Sequence, residues 1–373
     1  MSESEPEYRV TTLELFFDLV FVFTLTQLTA LLADDTTLRG LARVVLMLMV
    51  ILWMYGGYAW LTNAVAPDTP VRRTLLMIGM GGFLLIALAI PDAFGGSGVA
   101  FGIGYLIVNL VHSGLFVTHG GPGSAEGMRR LSVFNLGSAI IVLAGGFLPT
   151  PYRYAAYLVA LLVMVLTPYV NPQQRNIQIR PGHFVERHGL VVIVALGESI
   201  VAIGVGAAGL PVNGGLVLAV AFGLVLAYQF WWSYFGGNQD EIAERQLSLV
   251  PPTERARKAL AAYGWAHAPI LLGIVVLAVG VKKTIGHATD HLKPAAALAL
   301  AGGVALFLLG EVAFRWVLRI GPVRRRAIGA VAALATVPLG LWVALAQVAA
   351  LTIVFGIVLI PEVRQNAADE RVS

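Results

Sequence analysis

The stretch Leu13-Glu14-Leu15-Phe16-Phe17-Asp18-Leu19-Val20-Phe21-Val22-Phe23-Thr24-Leu25-Thr26-Gln27 sets two carboxylates in an otherwise apolar run that continues to Ala33. No glycine or proline interrupts it, and it reaches the roughly 20 residues that a bilayer-spanning helix needs. Glu14, Asp18, Phe21 and Leu25 follow at spacings of four, three and four, so they share one helix face. A secretory leader has a basic start and an uninterrupted apolar core. Here Met1–Glu7 is acidic and the core carries two acids, so the run reads as the first of several membrane spans.

The rest of the chain supports that class. Of 373 residues, 58% are hydrophobic and 12% charged, and mean hydropathy is +0.80. Soluble chains carry about a quarter charged residues, so a water-soluble globule and a disordered chain are both excluded. The expected fold is all-α: a polytopic integral membrane protein with about twelve transmembrane helices. Spans are expected near 13–33, 40–62, 74–93, 98–118, 129–148, 152–171, 184–206, 214–236, 259–281, 295–317, 325–341 and 343–361. Pro338 and Gly340 mark where the last run divides; read as one kinked helix, it would give eleven spans. A dozen spans take roughly 240 residues and leave no room for a soluble domain. The organisation is then a tail 1–12, a six-span half 13–171, a linker 172–183, a second six-span half 184–361, and a tail 362–373. Segment 238–258, divided at Pro251-Pro252, reads as a solvated connector with a short surface helix.

The chain has no cysteine, which removes disulfides, thiolate metal sites and cysteine nucleophiles. Its net charge of +4 reflects orientation rather than nucleic-acid binding, because basic residues gather in cytoplasmic loops. With the N-terminus inside, Arg39, Arg43, Arg153, Lys282, Lys283 and Lys293 fall outside. The other nineteen of the 25 basic residues, Arg9, Arg175, Arg364 and Arg371 among them, fall inside. Both termini are therefore expected on the cytoplasmic side.

The seventh span reads His183-Phe184-Val185-Glu186-Arg187-His188-Gly189-Leu190-Val191-Val192-Ile193-Val194-Ala195-Leu196-Gly197-Glu198-Ser199. Glu198 lies eleven residues past Arg187, about 16 Å along the axis and within about 20° of the same face. A carboxylate near mid-bilayer costs several kcal/mol unless protonated, paired or hydrated, so Glu198 is a candidate site residue. Asp18 is the second, with Glu14 one turn nearer the surface. Asn109, His112, Asn135 and Gln229 are further polar groups within spans, and His267 is a candidate titrating relay. Glu311 and Arg315, spaced i, i+4 with the acid first, read as an internal salt bridge. Tyr228, Trp231, Trp232 and Tyr234 read as an interfacial belt. His183, Glu186 and His188 do not put both histidines on one face, and no metal site, cofactor motif or catalytic nucleophile is assigned.

The two quoted spans resemble the two signature motifs of the bacterial low temperature requirement protein A family: Glu14 to Phe23 followed by Gln27, and Glu186 to Ile200. The resemblance extends over essentially the whole chain. It implies a multi-pass protein of the bacterial cytoplasmic (inner) membrane and no particular reaction. Because the motifs open spans one and seven, two parallel six-helix halves are suggested.

The expected function is a secondary transporter or ion pathway. Asp18 and Glu198 bind a cation or proton, Glu14 and Glu186 guard the inner mouth with His188 and Gln27 nearby, and Arg187 modulates Glu198. The expected partners are the lipid bilayer and a small ion or solute, without nucleic acid; a homo-oligomer is left open. The alternatives are a non-transporting sensor, assembly or structural protein that uses the same carboxylates as helix glue, and a lipid-acting enzyme.

Overall fold

The computed structural model describes residues 10–170 and 177–369. Arg9, Arg175 and Arg371 of the charge count, and most of the expected tail 1–12 and part of the linker, lie outside the described residues. The described residues are helical, without strands. In chain order the helices are α1 Thr12–Asp34, α2 Leu38–Ala64, α3 Pro70–Ala89, α4 Gly98–His119, α5 Pro122–Gly146, α6 Thr150–Val170, α7 Pro181–Ala207 and α8 Gly214–Phe235. They continue with α9 Gln239–Ser248, α10 Pro252–Ala259, α11 His267–Thr284, α12 Pro294–Leu318, α13 Arg324–Leu334, α14 Val337–Trp342 and α15 Ala344–Asp369. Among the described residues ten stretches are long and apolar enough to cross a membrane, and Ala344–Ile360 is a shorter apolar one.

The ambiguous run after Arg324 folds as two arms, α13–α14 and α15, of which Ala344–Ile360 is the apolar one. α13, with 11 residues, reaches only about 16 Å. The chain breaks at Ala335–Thr336, and α14 carries it on with Pro338 in its first turn, where a missing N–H costs nothing. Val343 is extended, and the turn there is bonded to the α11–α12 loop: Leu292 N–H to Gly340 O at 2.8 Å, Ala344 N–H to Asp290 O at 2.8 Å, Leu345 N–H to Ala288 O at 3.0 Å. α15 then returns, because a Cβ on Gly329 of α13 would meet Val358 of α15 at 2.5 Å. The break falls two residues before Pro338.

By contacts the described residues form two compact units. One holds 10–27, 46–170, 177–191 and 243–264; the other holds 28–45, 192–242 and 265–369. α1, α2 and α7 each give one end to each unit.

In the first unit, α3 and α4 meet at two glycines. A Cβ on Gly104 would lie 2.7 Å from Gly82 O. Segment 238–258 forms the short helices α9 and α10; most of its residues are exposed, while Ala243, Leu247 and Ala256 are buried and the Arg255 guanidinium donates to Ile179 O, Ser248 O and Val250 O. α10 runs through one π turn, Leu260–Trp265, into α11. In the second unit, α11 and α12 pack backbone to backbone. Gly273, Gly280, Gly303 and Gly310 each have the partner helix's backbone within 2.5–2.8 Å of where a Cβ would stand.

Candidate functional site

The site begins with a helix cap. Thr11 precedes the first turn of α1 and Glu14 stands three residues on, the Thr-x-x-Glu pattern of a capping box. Both reciprocal bonds form: Thr11 N–H donates to Glu14 Oε2 at 2.8 Å, and Glu14 N–H to Thr11 Oγ1 at 3.4 Å. The Thr11 hydroxyl adds a third at 2.8 Å. This fixes Glu14 Oε2 and turns Oε1 inward. Glu14, Asp18, Phe21 and Leu25 are all buried, while Leu15, Phe16 and Leu19 are exposed on the opposite face.

The first two turns of α7 supply an imidazole and a guanidinium. His183 and Arg187, one turn apart, both face α1. His183 Nε2 lies 3.0 Å from Glu14 Oε1. Arg187 Nη1 donates to Asp18 Oδ2 at 2.6 Å and to the Glu14 carbonyl at 3.0 Å, and its Nε stands 3.8 Å from Glu14 Oε1. The Tyr55 hydroxyl of α2 donates to Asp18 Oδ1 at 2.8 Å. The guanidinium lies about 6.0 Å from the Phe17 ring centre and 5.9 Å from that of Tyr55. Around it Phe17 stacks on Tyr58 at 4.9 Å and meets Phe83 edge-on at 5.1 Å, so the charges sit in an aromatic shell.

Asn63 Oδ1 accepts from Arg180 N–H at 2.9 Å, so its Nδ2 faces Arg180 O at 3.0 Å and His183 Nδ1 at 3.3 Å. The imidazole is thus held between Asn63 and Glu14. Two carboxylates, one guanidinium and one imidazole share the site, so its net charge turns on a single proton. Beside them lies a cavity of about 10 Å³, lined by Leu13, Glu14, Phe17, Tyr58, Thr62, Leu76, Met80 and Arg187, with room for about one water.

The other expected site residues are dispersed. Glu186 is exposed and its Oε2 accepts from Val10 N–H at 3.2 Å. His188 is buried, bonded through Nδ1 to Phe184 O at 2.8 Å and packed on Tyr263. Gln27 is half-buried at the end of the first unit. Glu198 is buried in the second unit's part of α7. Arg187, expected to act on Glu198, spends its charge on Asp18 and Glu14.

A second ionic cluster lies in the second unit. Glu311 is met by Arg326 Nε of α13 at 2.7 Å and by the Ser233 hydroxyl. Arg315 donates to Ser233 O at 3.3 Å, and Tyr234 bonds His267 Nε2 at 2.8 Å. Tyr234 thus faces inward rather than joining an aromatic belt; Tyr228 and Trp231 are exposed. The remaining polar groups have local tasks. Asn109 Nδ2 donates to Tyr105 O, His112 Nε2 lies 3.0 Å from Gly57 O, Asn135 accepts from the Trp53 indole, and Gln229 donates to Thr352 O.

The reading from spacing missed Thr11, Tyr55, Asn63, His183 and Arg326. The Thr11-x-x-Glu14 pattern could have flagged the cap, and the i, i+4 spacing of His183 and Arg187 their common face. Nothing in the sequence announces Tyr55, Asn63 or Arg326 as partners.

Over residues 9–361 the chain matches the family described as bacterial low temperature requirement A protein. It is 30% identical over 330 residues to a Rhizobium meliloti (strain 1021) protein named only Uncharacterized protein RA0937, an alignment covering 85% of this chain and 79% of that one. No solved structure matches.

Proposed function

The chain belongs to the bacterial low temperature requirement A family, and on that premise we propose that it is a secondary transporter or ion pathway of the inner membrane whose working ion is the proton. The observation that carries this reading is the buried cluster at α1 and α7, where two carboxylates face one guanidinium and one imidazole. Two carboxylates against one guanidinium in a low-dielectric shell leave a charge costing several kcal/mol, which a single proton within the cluster cancels. A sodium or potassium ion is poorly suited, because the adjoining space holds about one water and a guanidinium lines it. Tyr55 and Thr11 hold the carboxylates in place while a proton moves between Glu14, His183 and Asp18. Glu198 is the further carboxylate along α7 toward which such a proton would pass.

The test is flux in liposomes holding the purified protein, read with pH, sodium and potassium indicators. Proton flux is expected for the native chain, with loss in Asp18→Asn and in Glu198→Gln while both remain folded. Sodium or potassium flux without proton movement, or proton flux unchanged in both variants, would overturn the assignment. A second reading has support from the tight pairing of Asp18 with Arg187: a static lock between α1 and α7 in a sensor or assembly protein. It expects no proton, sodium or potassium flux in the native chain or in either variant.

A further inference from the structure

A separate cleft of about 370 Å³ opens beside the start of α1, lined by Thr11, Thr12, Leu13, Phe16, Pro67 and Arg73. That is the size of a small-ligand site, and its lining mixes polarity. Two threonines and an arginine are polar; Leu13, Phe16 and Pro67 are apolar. Arg73 Nε donates to Pro67 O at 2.9 Å, which anchors the guanidinium at the cleft and leaves its terminal nitrogens as four further donors. The neighbouring acid, Asp68, is taken by Arg72 at 2.6 Å. The cleft also sits where polar turn gives way to membrane helix. α1 exposes Leu15, Phe16 and Leu19, and α3 exposes Val71, Met77 and Ile78, apolar side chains on the two helices whose first turns give Thr12 and Arg73 to the cleft.

We propose that this cleft binds the headgroup of an anionic phospholipid, with Arg73 on the phosphate, Thr12 on the polar head, and one acyl chain along the exposed face of α1. A cationic fork together with apolar side chains matches a molecule that is anionic at one end and apolar at the other. A soluble phosphate would leave Phe16 and Leu13 without a counterpart.

The full chain, purified in detergent and stripped of lipid, is titrated with phosphatidylglycerol and with phosphatidylcholine of the same acyl chains. Native mass spectrometry reads retention and the unfolding midpoint reads stabilisation. Phosphatidylglycerol is expected to be retained and to raise the midpoint, and phosphatidylcholine to do neither. Arg73→Gln is expected to weaken retention about fivefold, the factor for roughly 1 kcal/mol per basic residue at an anionic surface. Arg73→Lys keeps most of it. Thr12→Glu, an acid in the first turn of α1 where helices accept one, keeps the fold and repels the phosphate. Arg129→Gln, at an arginine 67% exposed elsewhere, is expected to change nothing. Equal retention of both lipids, native behaviour in Arg73→Gln and Thr12→Glu, or an equal loss in Arg129→Gln would overturn the proposal. So would soluble glycerol phosphate giving the same shift as the lipid.

Discussion

At Asp18 both carboxylate oxygens are occupied, one by Arg187 at 2.6 Å and one by Tyr55 at 2.8 Å. Replacing one member of a buried ion pair strands the other, which typically costs about 3–5 kcal/mol. Asp18→Asn is therefore expected to lower unfolding stability by about that amount, and Tyr55→Phe by about 1–2 kcal/mol. Adding Arg187→Gln to Asp18→Asn should recover part of the loss. Purely additive losses in a chemical-denaturation cycle would mean that the pair is not coupled. The shared face of Glu14 and Asp18 was legible in the sequence, because helical spacing fixes angles within one helix. Which residue of another helix they meet was not legible, since spacing carries no information about neighbours. A different residue governs acid behaviour outside the spans. In the turn between α1 and α2, the Thr37 hydroxyl, then its backbone N–H, hold the Asp35 carboxyl below its usual range. A lowered folded pKa stabilises above the unfolded value and is lost as pH falls through the folded one. Amide exchange over the first turn of α2 is expected to quicken below the ordinary Asp range, and Asp35→Asn to abolish that dependence. An unchanged profile in the variant would place its origin elsewhere.

Glycines separate two kinds of element contact that look alike as sequence. Gly302 and Gly303 are adjacent in α12, yet a Cβ at Gly302 meets nothing within 4 Å, whereas one at Gly303 meets Leu277 N at 2.5 Å. Gly303→Ala should force α11 and α12 apart, with a loss of several kcal/mol comparable to overpacking a core. Gly302→Ala should be neutral or stabilising by up to about 1 kcal/mol, the difference in helix propensity. Thermal unfolding of the two variants compares them directly, and equal shifts would contradict the close backbone approach. Arg153 is a related case. Expected as a surface charge, it is buried and donates to the carbonyls of Ala93, Gly95, Gly145, Gly146 and Leu148, gathering two helix turns around one guanidinium. Hydropathy located these elements well because span length is fixed by the bilayer. It could not separate a lipid-facing glycine from a packed one, or a clamping arginine from a solvated one, because both pairs differ only in what the next helix brings.

For the whole molecule, orientation ties the local sites to the direction of any flux. Nineteen of the 25 basic residues fall on one side when the chain is threaded through its spans from a cytoplasmic N-terminus. Eight spans separate Thr12 from Ser248, an even number, so Ser248 belongs on the same side as the first turn of α1 and its Arg73 cleft. Ser248 and His291 are both exposed and flank the 252–284 span, which puts them on opposite sides. The chain has no cysteine, so a single introduced thiol reports its own surroundings without background. In intact cells a membrane-impermeant thiol reagent is expected to label His291→Cys and to label Ser248→Cys only after permeabilisation. The reverse pattern would put the Glu14 cluster's entrance outside and most of the basic residues with it, against the usual bias. Labelling of both would remove the 252–284 span and the parity argument together. With the expected pattern, a proton reaching Glu14 enters from the cytoplasmic face. On the proposed proton pathway an inward gradient reaches Glu198, eleven residues beyond Arg187 along α7, before it reaches Asp18, so Glu198→Gln should block inward flux at an earlier step than Asp18→Asn.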